Sequence, residues 1–394
     1  MKILEITNLG YVNGGVETGL LHIKPVLEKM GHTVKIFTSD ARPDLEHFSD
    51  YEFPSLDHKL KILKLFYRSF YPAPYYALKK VLKEYKPDII HLHTISQISP
   101  SILFLFKKQN VVVTVHQTED YTTSILPWSF PQSYFKDKSH HKEQLTLEGM
   151  LHYGYHRFIN GNIYRIGFRF VDKFIAVSSY MQSCLATDGI KSIVLPNETE
   201  LIDYTPINPL GMHLVYVGRL EHTKGVQDII HALTEIKHLY PKIRLTIAGR
   251  GLYEQELHNL TEELHLTENI EFVGYLNQEQ LSDLYKTTTI VVMPSIWPES
   301  FGKVGIEAMS GGRPVITSNL GGTSDWLSEG ENGFSVPPES PQEIAKKIIL
   351  LLGNPDLLEQ MSFCARESSF RFSTESHVKN LLNIYQEILG SKRV

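Results

Sequence analysis

Short, nearly unbroken apolar runs rich in β-branched residues alternate with longer amphipathic segments along this chain, and the series occurs twice. Ile3–Thr7, Thr33–Ser39, Asp88–Thr94, Val111–His116 and Lys173–Ser178 form the first set of runs, separated by helical periodicity as in Val16–Met30 and Tyr75–Lys86. Leu214–Val217, Arg244–Ala248, Ile270–Val273, Ile290–Pro294 and Pro314–Ser318 form the second, with helical stretches Gly225–Tyr240, Tyr253–Leu266, Gln278–Lys286 and Val304–Ser310 between them. A strand apolar on both faces belongs in a parallel sheet covered by helices on both sides. Two such βαβ series predict an α/β chain of two Rossmann-like, doubly wound domains facing a central cleft, where the carboxyl ends of the strands converge.

A length of 394 residues fits two cores better than one. Pro196, Pro206 and Pro209 interrupt the periodicity over Pro196–Met212 and mark the junction. The expected organisation is an N-terminal Rossmann-like domain over 1–197, a linker over 198–212, a C-terminal Rossmann-like domain over 213–372 and a terminal amphipathic helix over 373–394. Residues 1–200 carry a net charge of +3 and the remainder −8. An acidic second half argues against nucleic acid, which needs a basic footprint. The segment MKILEITNLG reads as a strand rather than a signal peptide, and no run reaches the roughly 18 apolar residues of a membrane span. Cys184 and Cys364 fit neither a disulfide nor a metal pattern. These features point to a cytoplasmic protein.

The richest stretch for chemistry is PSIWPESFGKVGIEAMSGGRP, residues 294–314. A strand ends at Met293, a loop carries Glu299-Ser300-Phe301-Gly302, and a helix starts near Lys303. The first amides of that helix have no internal partners, so they can hold phosphate or hydroxyl oxygens. Glu299 in the loop and Glu307 one turn into the helix suit paired sugar and ribose hydroxyls, because carboxylates accept paired hydrogen bonds. A diphosphate needs cations instead. Those come from Gly218-Arg219, where a second strand runs into a loop, and from Lys224 at the next helix start. Taken singly, each of these is an ordinary surface charge or helix-punctuating glycine. Their joint order and spacing favour a nucleotide-sugar pocket.

These residues carry a resemblance. GRLEHTKG, ESFGKVGIE, EAMSGGRPVI and NLGGTSDWL in the second half, with GGVE, PDIIHLHT and VVVTVHQTED in the first, resemble the retaining glycosyltransferases of family 4, which have the GT-B fold. The resemblance implies that Arg219 and Lys224 grip the diphosphate, that Glu307 binds the ribose and Glu299 the transferred sugar, and that amides of Phe301, Gly302, Lys303 and Val304, beside Ser300, hold sugar and phosphate oxygens. It implies that His116 reaches the transferred sugar, that Gly14 and Gly15 approach donor phosphates or the acceptor, and that the last helix returns to the first domain. Catalytic roles then fall to His116, Arg219, Lys224 and Glu299. The chain departs from the family at Glu198, where Pro-Asn-Gly is usual, at Gly249-Arg250-Gly251, where an acidic-glycine turn is usual, and at Asp325, where Glu is usual. Arg250 is thereby a candidate contact to the base or diphosphate.

The implied reaction moves a hexose-type sugar from a nucleoside diphosphate sugar, UDP favoured over GDP, to a glycan, lipid-linked or small-molecule hydroxyl, with no metal and no other cofactor. A nucleotide-sugar epimerase and a catalytically silent nucleotide-sugar-binding subunit are the competing readings. A nicotinamide dehydrogenase lacks its G-x-G-x-x-G, since Gly10-Tyr11-Val12-Asn13-Gly14-Gly15 follows the first strand. His91 and His93 share one strand face, but spacing supplies no third metal ligand, which favours a core or wall role. Glu119, and Trp128 in the aromatic stretch over 121–169 that follows it, are acceptor-side candidates. The lysines and aromatics of residues 59–86 read either as a solvated helix face or as a patch for anionic lipid at the inner membrane face.

Overall fold

A computed structural model of the chain describes residues 1–55, 67, 69–95, 98–117 and 161–391. The chain divides into two compact units, Met1–Asn197 with His377–Val394, and Glu198–Ser376.

The first unit holds β1 (Lys2–Leu9), β2 (Thr33–Ser39), β3 (Tyr51–Phe53), β4 (Ile89–Leu92), β5 (Val111–Val115), β6 (Lys173–Ala176) and β7 (Ser192–Val194). They form one parallel sheet in the order β3-β2-β1-β4-β5-β6-β7. The direction of winding reverses between β1 and β4, so the loops leaving these two strands diverge and open a crevice. On one face, Ile3, Val34, Ile89, Val112 and Ile175 pack against Ile23 and Leu27 of the helix Gly15–Lys29. Val378, Leu381, Tyr385 and Ile388 of the helix Thr374–Ser391 join the same cluster, so the end of the chain completes the core of its beginning.

The second unit holds β8 (His213–Val217), β9 (Arg244–Ala248), β10 (Ile270–Gly274), β11 (Ile290–Met293), β12 (Val315–Ser318) and β13 (Gly333–Val336), parallel in the order β10-β9-β8-β11-β12-β13. Here the reversal lies between β8 and β11. Ile290, Val291 and Val292 are all fully buried, as a strand covered on both faces requires. Helices Val226–Leu239 and Pro341–Leu352 supply Ile229, Leu233, Ile344 and Ile348 to that core. The stretch after Asn197 is part of this unit: Thr199 pairs with Ser373, and the buried Arg313 guanidinium donates to Thr205 O at 2.7 Å.

Candidate functional site

In the second unit, the loops leaving β8 and β11 are joined by their backbones. Gly225 has φ +71, and a Cβ there would stand 1.9 Å from Pro294 O, so only glycine lets the two loops approach this closely. Ile296 N–H donates to Thr223 O at 2.9 Å across the same seam. This closeness brings Lys224 Nζ to 2.7 Å from Glu299 Oε1, with the two side chains 22% and 16% exposed. Ser295 Oγ donates to the same carboxylate oxygen. Burial alone would raise the Glu299 pKa. The charge and hydrogen bond of Lys224 outweigh it, helped by Ser295 and the more distant Arg219, and hold the carboxyl below its ordinary range.

Glu299 is also fixed through its backbone, because Gly322 N–H donates to Glu299 O at 2.7 Å and Gly321 bridges the same residue. Three residues on, Gly302 takes φ +80 and opens the helix Lys303–Ser310 without any side-chain cap. Trp326, fully buried, donates from its indole N–H to Phe301 O at 2.6 Å. Its ring lies where a Cβ on Gly305 would stand, at 2.3 Å. The Phe301 side chain is core, 5.8 Å from the Phe372 ring, so only its backbone is offered to a ligand. Along the helix Lys303, Val304 and Glu307 are half-exposed while Gly305, Ile306, Ala308 and Met309 are buried. One face therefore presents the first-turn amides beside Glu307, whose charge, after burial, helps to hold the Tyr285 phenol well above its ordinary pKa.

The two cations expected to clamp a diphosphate are placed differently. Lys224 meets the acidic loop, whereas the Arg219 guanidinium is 68% exposed and bonds Glu221 at 2.8 Å. The reason is local. Gly218 N–H is tied to Ala248 O at 3.0 Å, and Tyr216 Oη donates to Arg219 O at 2.8 Å, so the backbone is fixed while the side chain extends to its neighbour. Arg250 is exposed, and its carbonyl accepts from Leu220 N–H at 2.9 Å, which stitches the loops after β8 and β9.

In the first unit, Gly14 precedes the helix start at Gly15, and Glu17 is buried in the first turn. Burial pushes the Glu17 carboxyl up to about 7, against backbone hydrogen bonds at Glu17, Asn13 and Gly14 that lower it. A carboxylate thus shares the amides that the sequence offers to phosphate. His116 follows β5, and its Nε2 lies 3.0 Å from His93 Nδ1. His93 Nε2 lies 2.8 Å from Glu5 Oε2, and His91 Nδ1 is 3.3 Å from that same oxygen. Sequence spacing finds no third ligand-type group near the two histidines, but the fold supplies Glu5. The ligating atoms of Glu5, His91 and His93 lie within 4.8 Å of one another. His91 also meets Tyr385 Oη and Thr114 Oγ1, each at 2.7 Å, while Glu5 Oε1 is buried without a hydrogen bond among the described residues. The signal for Glu5 was available: it is the one charged side chain in an otherwise apolar buried run, ILEI. Glu119 and Trp128 lie outside the described residues. Lys79, Lys80, Lys83 and Lys86 are exposed, and the helix Pro72–Tyr85 turns Pro74, Leu78 and Val81 inward, while Lys59, Lys61, Lys64 and Arg68 lie outside the described residues.

The model for Glycosyltransferase Family 4 matches residues 13–198, and that for Glycosyl transferases group 1 matches residues 202–368, so the two succeed one another over both units. This chain belongs to glycosyltransferase family 4. Spore coat protein SA of Bacillus subtilis is 30% identical over 190 residues, 45% of this chain and 50% of that protein. The chain thus matches about half the length of the first such relatives. The phosphatidyl-myo-inositol mannosyltransferase of Mycobacterium leprae is 24% identical over 96% of this chain and 95% of its own. Among solved structures, Anabaena HepE in complex with UDP superposes with a TM-score of 0.69 at 21% identity, covering 98% of this chain and 100% of that one. The likeness shows the GT-B fold.

Within this family 4 chain, the departures from the family pattern have structural settings. Glu198 is 3% exposed at its side chain and pairs with Lys303 Nζ at 3.1 Å, so the residue in place of glycine holds the first residue of the helix behind Glu299. Gly249 and Gly251 flank Arg250, and a Cβ on either would meet a carbonyl oxygen of the β8 loop, at 1.8 and 2.0 Å. The Asp325 carbonyl accepts from Arg371 at 2.9 Å. Cys184 and Cys364 are both free thiols. Among the described residues no helix is long and apolar enough to cross a membrane.

Proposed function

We propose that this family 4 chain transfers a hexose-type sugar from a nucleoside diphosphate sugar, UDP-linked in preference to GDP-linked, to an acceptor hydroxyl with retention at the anomeric carbon. The observation that carries this reading is the Lys224–Glu299 contact beside the uncapped helix start at Gly302. One cation, one carboxylate and a row of unpartnered amides thereby stand together at the strand-order reversal. Lys224 stabilises the charge that grows on the departing diphosphate, and Arg219 swings from Glu221 to join it. The amides of Phe301, Gly302, Lys303 and Val304, beside Ser300, hold phosphate and sugar oxygens. Glu299 sorts the sugar hydroxyls and Glu307 those of the ribose. Gly218 and Arg250 border the diphosphate and base, Gly14 and Gly15 approach the donor or acceptor, and His116 contacts a hydroxyl of the transferred sugar. The bond from the anomeric carbon to the diphosphate oxygen breaks, the bond to the acceptor oxygen forms on the same face, and the acceptor proton passes to the leaving phosphate oxygen. Lys224 and Arg219 do the work a divalent cation does elsewhere.

The UDP preference is supported by the complex of HepE with UDP. A lipid-linked or glycan acceptor is supported by the mannosyltransferase relative, whose name includes phosphatidyl-myo-inositol. Assembly of surface polysaccharide or glycolipid, in the cytoplasm or at the inner face of the membrane, is the setting proposed for this transfer. A thermal-shift screen of UDP- and GDP-sugars, followed by NMR of the product anomer with EDTA present, tests the reading. A shift with one sugar nucleotide and a product of unchanged anomeric configuration is expected. No shift with any of them, or an inverted product, would overturn it.

A further inference from the structure

The first sheet carries a polar stripe inside an apolar face. Ile3, Ile89 and Val112 lie in the core under the helix Thr374–Ser391. Two residues further along each strand, on the same face, stand Glu5, His91 and Thr114, and beyond them His93 and His116. Glu5, His91 and His93 are 2%, 2% and 4% exposed. A carboxylate and two imidazoles in an apolar core are costly unless bonded, and Glu5 Oε2, His91 and His93 form one connected chain that reaches His116.

We propose that Glu5 is a positioning residue that dictates, through His93, which ring nitrogen of His116 carries its proton. An ionised carboxylate only accepts hydrogen bonds, so His93 Nε2, 2.8 Å away, must be the donating nitrogen. A neutral His93 then has its lone pair on Nδ1. That lone pair faces His116 Nε2 at 3.0 Å, which therefore holds a proton and donates it. A neutral His116 then carries its lone pair on Nδ1, which accepts a hydrogen bond rather than donating one. The two rings lie 5.3 Å apart and 26° from parallel, so the bond joins rings that are nearly coplanar in tilt.

The protonation states agree with this geometry. Burial alone would raise the Glu5 pKa, but His91 and His93 outweigh it and hold it at about 2. Burial first, and then the charge of His91, hold His93 at about 4, so it is neutral near pH 7. Among the described residues the titratable groups bearing on the chain are His91, bonded to Glu5, with Tyr385 and His377 from the helix Thr374–Ser391. The Tyr385 phenol is raised well above its ordinary pKa by burial and by Glu5, so it stays protonated.

The functional half of this inference rests on the reading of His116 as a contact to the transferred sugar. The test separates the two. Long-range proton–nitrogen correlation spectra of the full chain labelled with nitrogen-15 histidine, with His116 assigned by His116→Gln, report its tautomer at pH 7.5. The wild-type protein should show His116 protonated at Nε2. Glu5→Gln, which offers His93 a donor as well as an acceptor, should give a mixture of tautomers, and Glu5→Asp should largely restore one. Turnover is followed on UDP-glucose, UDP-galactose, UDP-N-acetylglucosamine and GDP-mannose, and Glu5→Gln should lower kcat by roughly tenfold. A wild-type His116 protonated at Nδ1 would overturn the proposal without any variant having to fold, as would a His116 signal unmoved by Glu5→Gln. A shifted tautomer with unchanged turnover would keep the relay and overturn the sugar contact of His116.

Discussion

Lys224 Nζ sits 2.7 Å from Glu299 Oε1, an ion pair between a residue that precedes a helix after β8 and one in the loop after β11. The proposed chemistry gives these side chains different tasks, phosphate for one and sugar hydroxyls for the other. Their contact makes the tasks competitive. A diphosphate that draws Lys224 away leaves Glu299 without its main counter-charge, unless sugar hydroxyls donate to it at the same moment. A free nucleoside diphosphate lacks those hydroxyls, so the pair favours the complete donor over its product.

Glu299→Gln is therefore expected to tighten UDP binding, by roughly tenfold, because Lys224 loses its partner while keeping its charge. The sugar-bearing donor should gain less or lose affinity. Calorimetric titration of UDP and UDP-glucose against wild type and variant checks this, and equal changes for both ligands would refute it.

Lys224→Ala and Arg219→Ala should differ. Lys224 is held against the acidic loop, and its removal should lower kcat on the order of 10²-fold or more, as loss of a group acting on developing charge does. Arg219 is 68% exposed, so its removal should cost less and lose most of its effect as salt is raised. Steady-state rates at two ionic strengths distinguish them.

Gly225→Ala should destabilise the second unit by about 3 kcal/mol or more, since a Cβ at φ +71 would meet Pro294 O at 1.9 Å. Gly31 has φ +85 with nothing within 4 Å of its Cβ position, and Gly31→Ala should cost only about 1 kcal/mol of backbone strain. Urea unfolding of both variants isolates the contact from the conformation.

Stability should fall at both ends of the pH scale for different reasons. His93 has its folded pKa held near 4 against an unfolded 6.5, so the unfolded chain takes up the proton first and stability is lost as pH falls from 6.5 towards 4. Glu5, near 2 against 4.5, adds a further loss as pH falls through that lower range. Glu17 has the opposite sign: its carboxyl is raised to about 7 from 4.5, so its contribution is complete below 4.5 and is lost as pH rises through 7. Glu17→Gln should raise Tm at pH 8.5, through a gain in stability of about 3 kcal/mol at most, and leave it unchanged near pH 4.5.

The strands that the sequence reveals are those whose apolar run is continuous, such as VVVTV at β5 and IVVM at β11, because burial on both faces leaves that mark. The edge strands β3, β7 and β13, with YEF, SIV and GFSV, escape such a reading, whereas the five-residue edge strand β10 is found by it. They are three or four residues long, and an edge strand pairs on one side only, so sheet pairing defines them more than composition does.

The amino-acid order by itself determined the local devices: the doubly repeated βαβ series, the glycine that opens the helix at Lys303, and the eight-position spacing from Glu299 to Glu307. Only the tertiary structure decided which of these groups meet. Lys224 reaches Glu299 because β8 and β11 are neighbours in the second sheet, although 75 residues separate the two side chains. Glu5 reaches His93 across 88 residues because β1 and β4 are neighbours in the first. Strand order is a property of how the whole core closes, and local spacing along the chain carries no record of it.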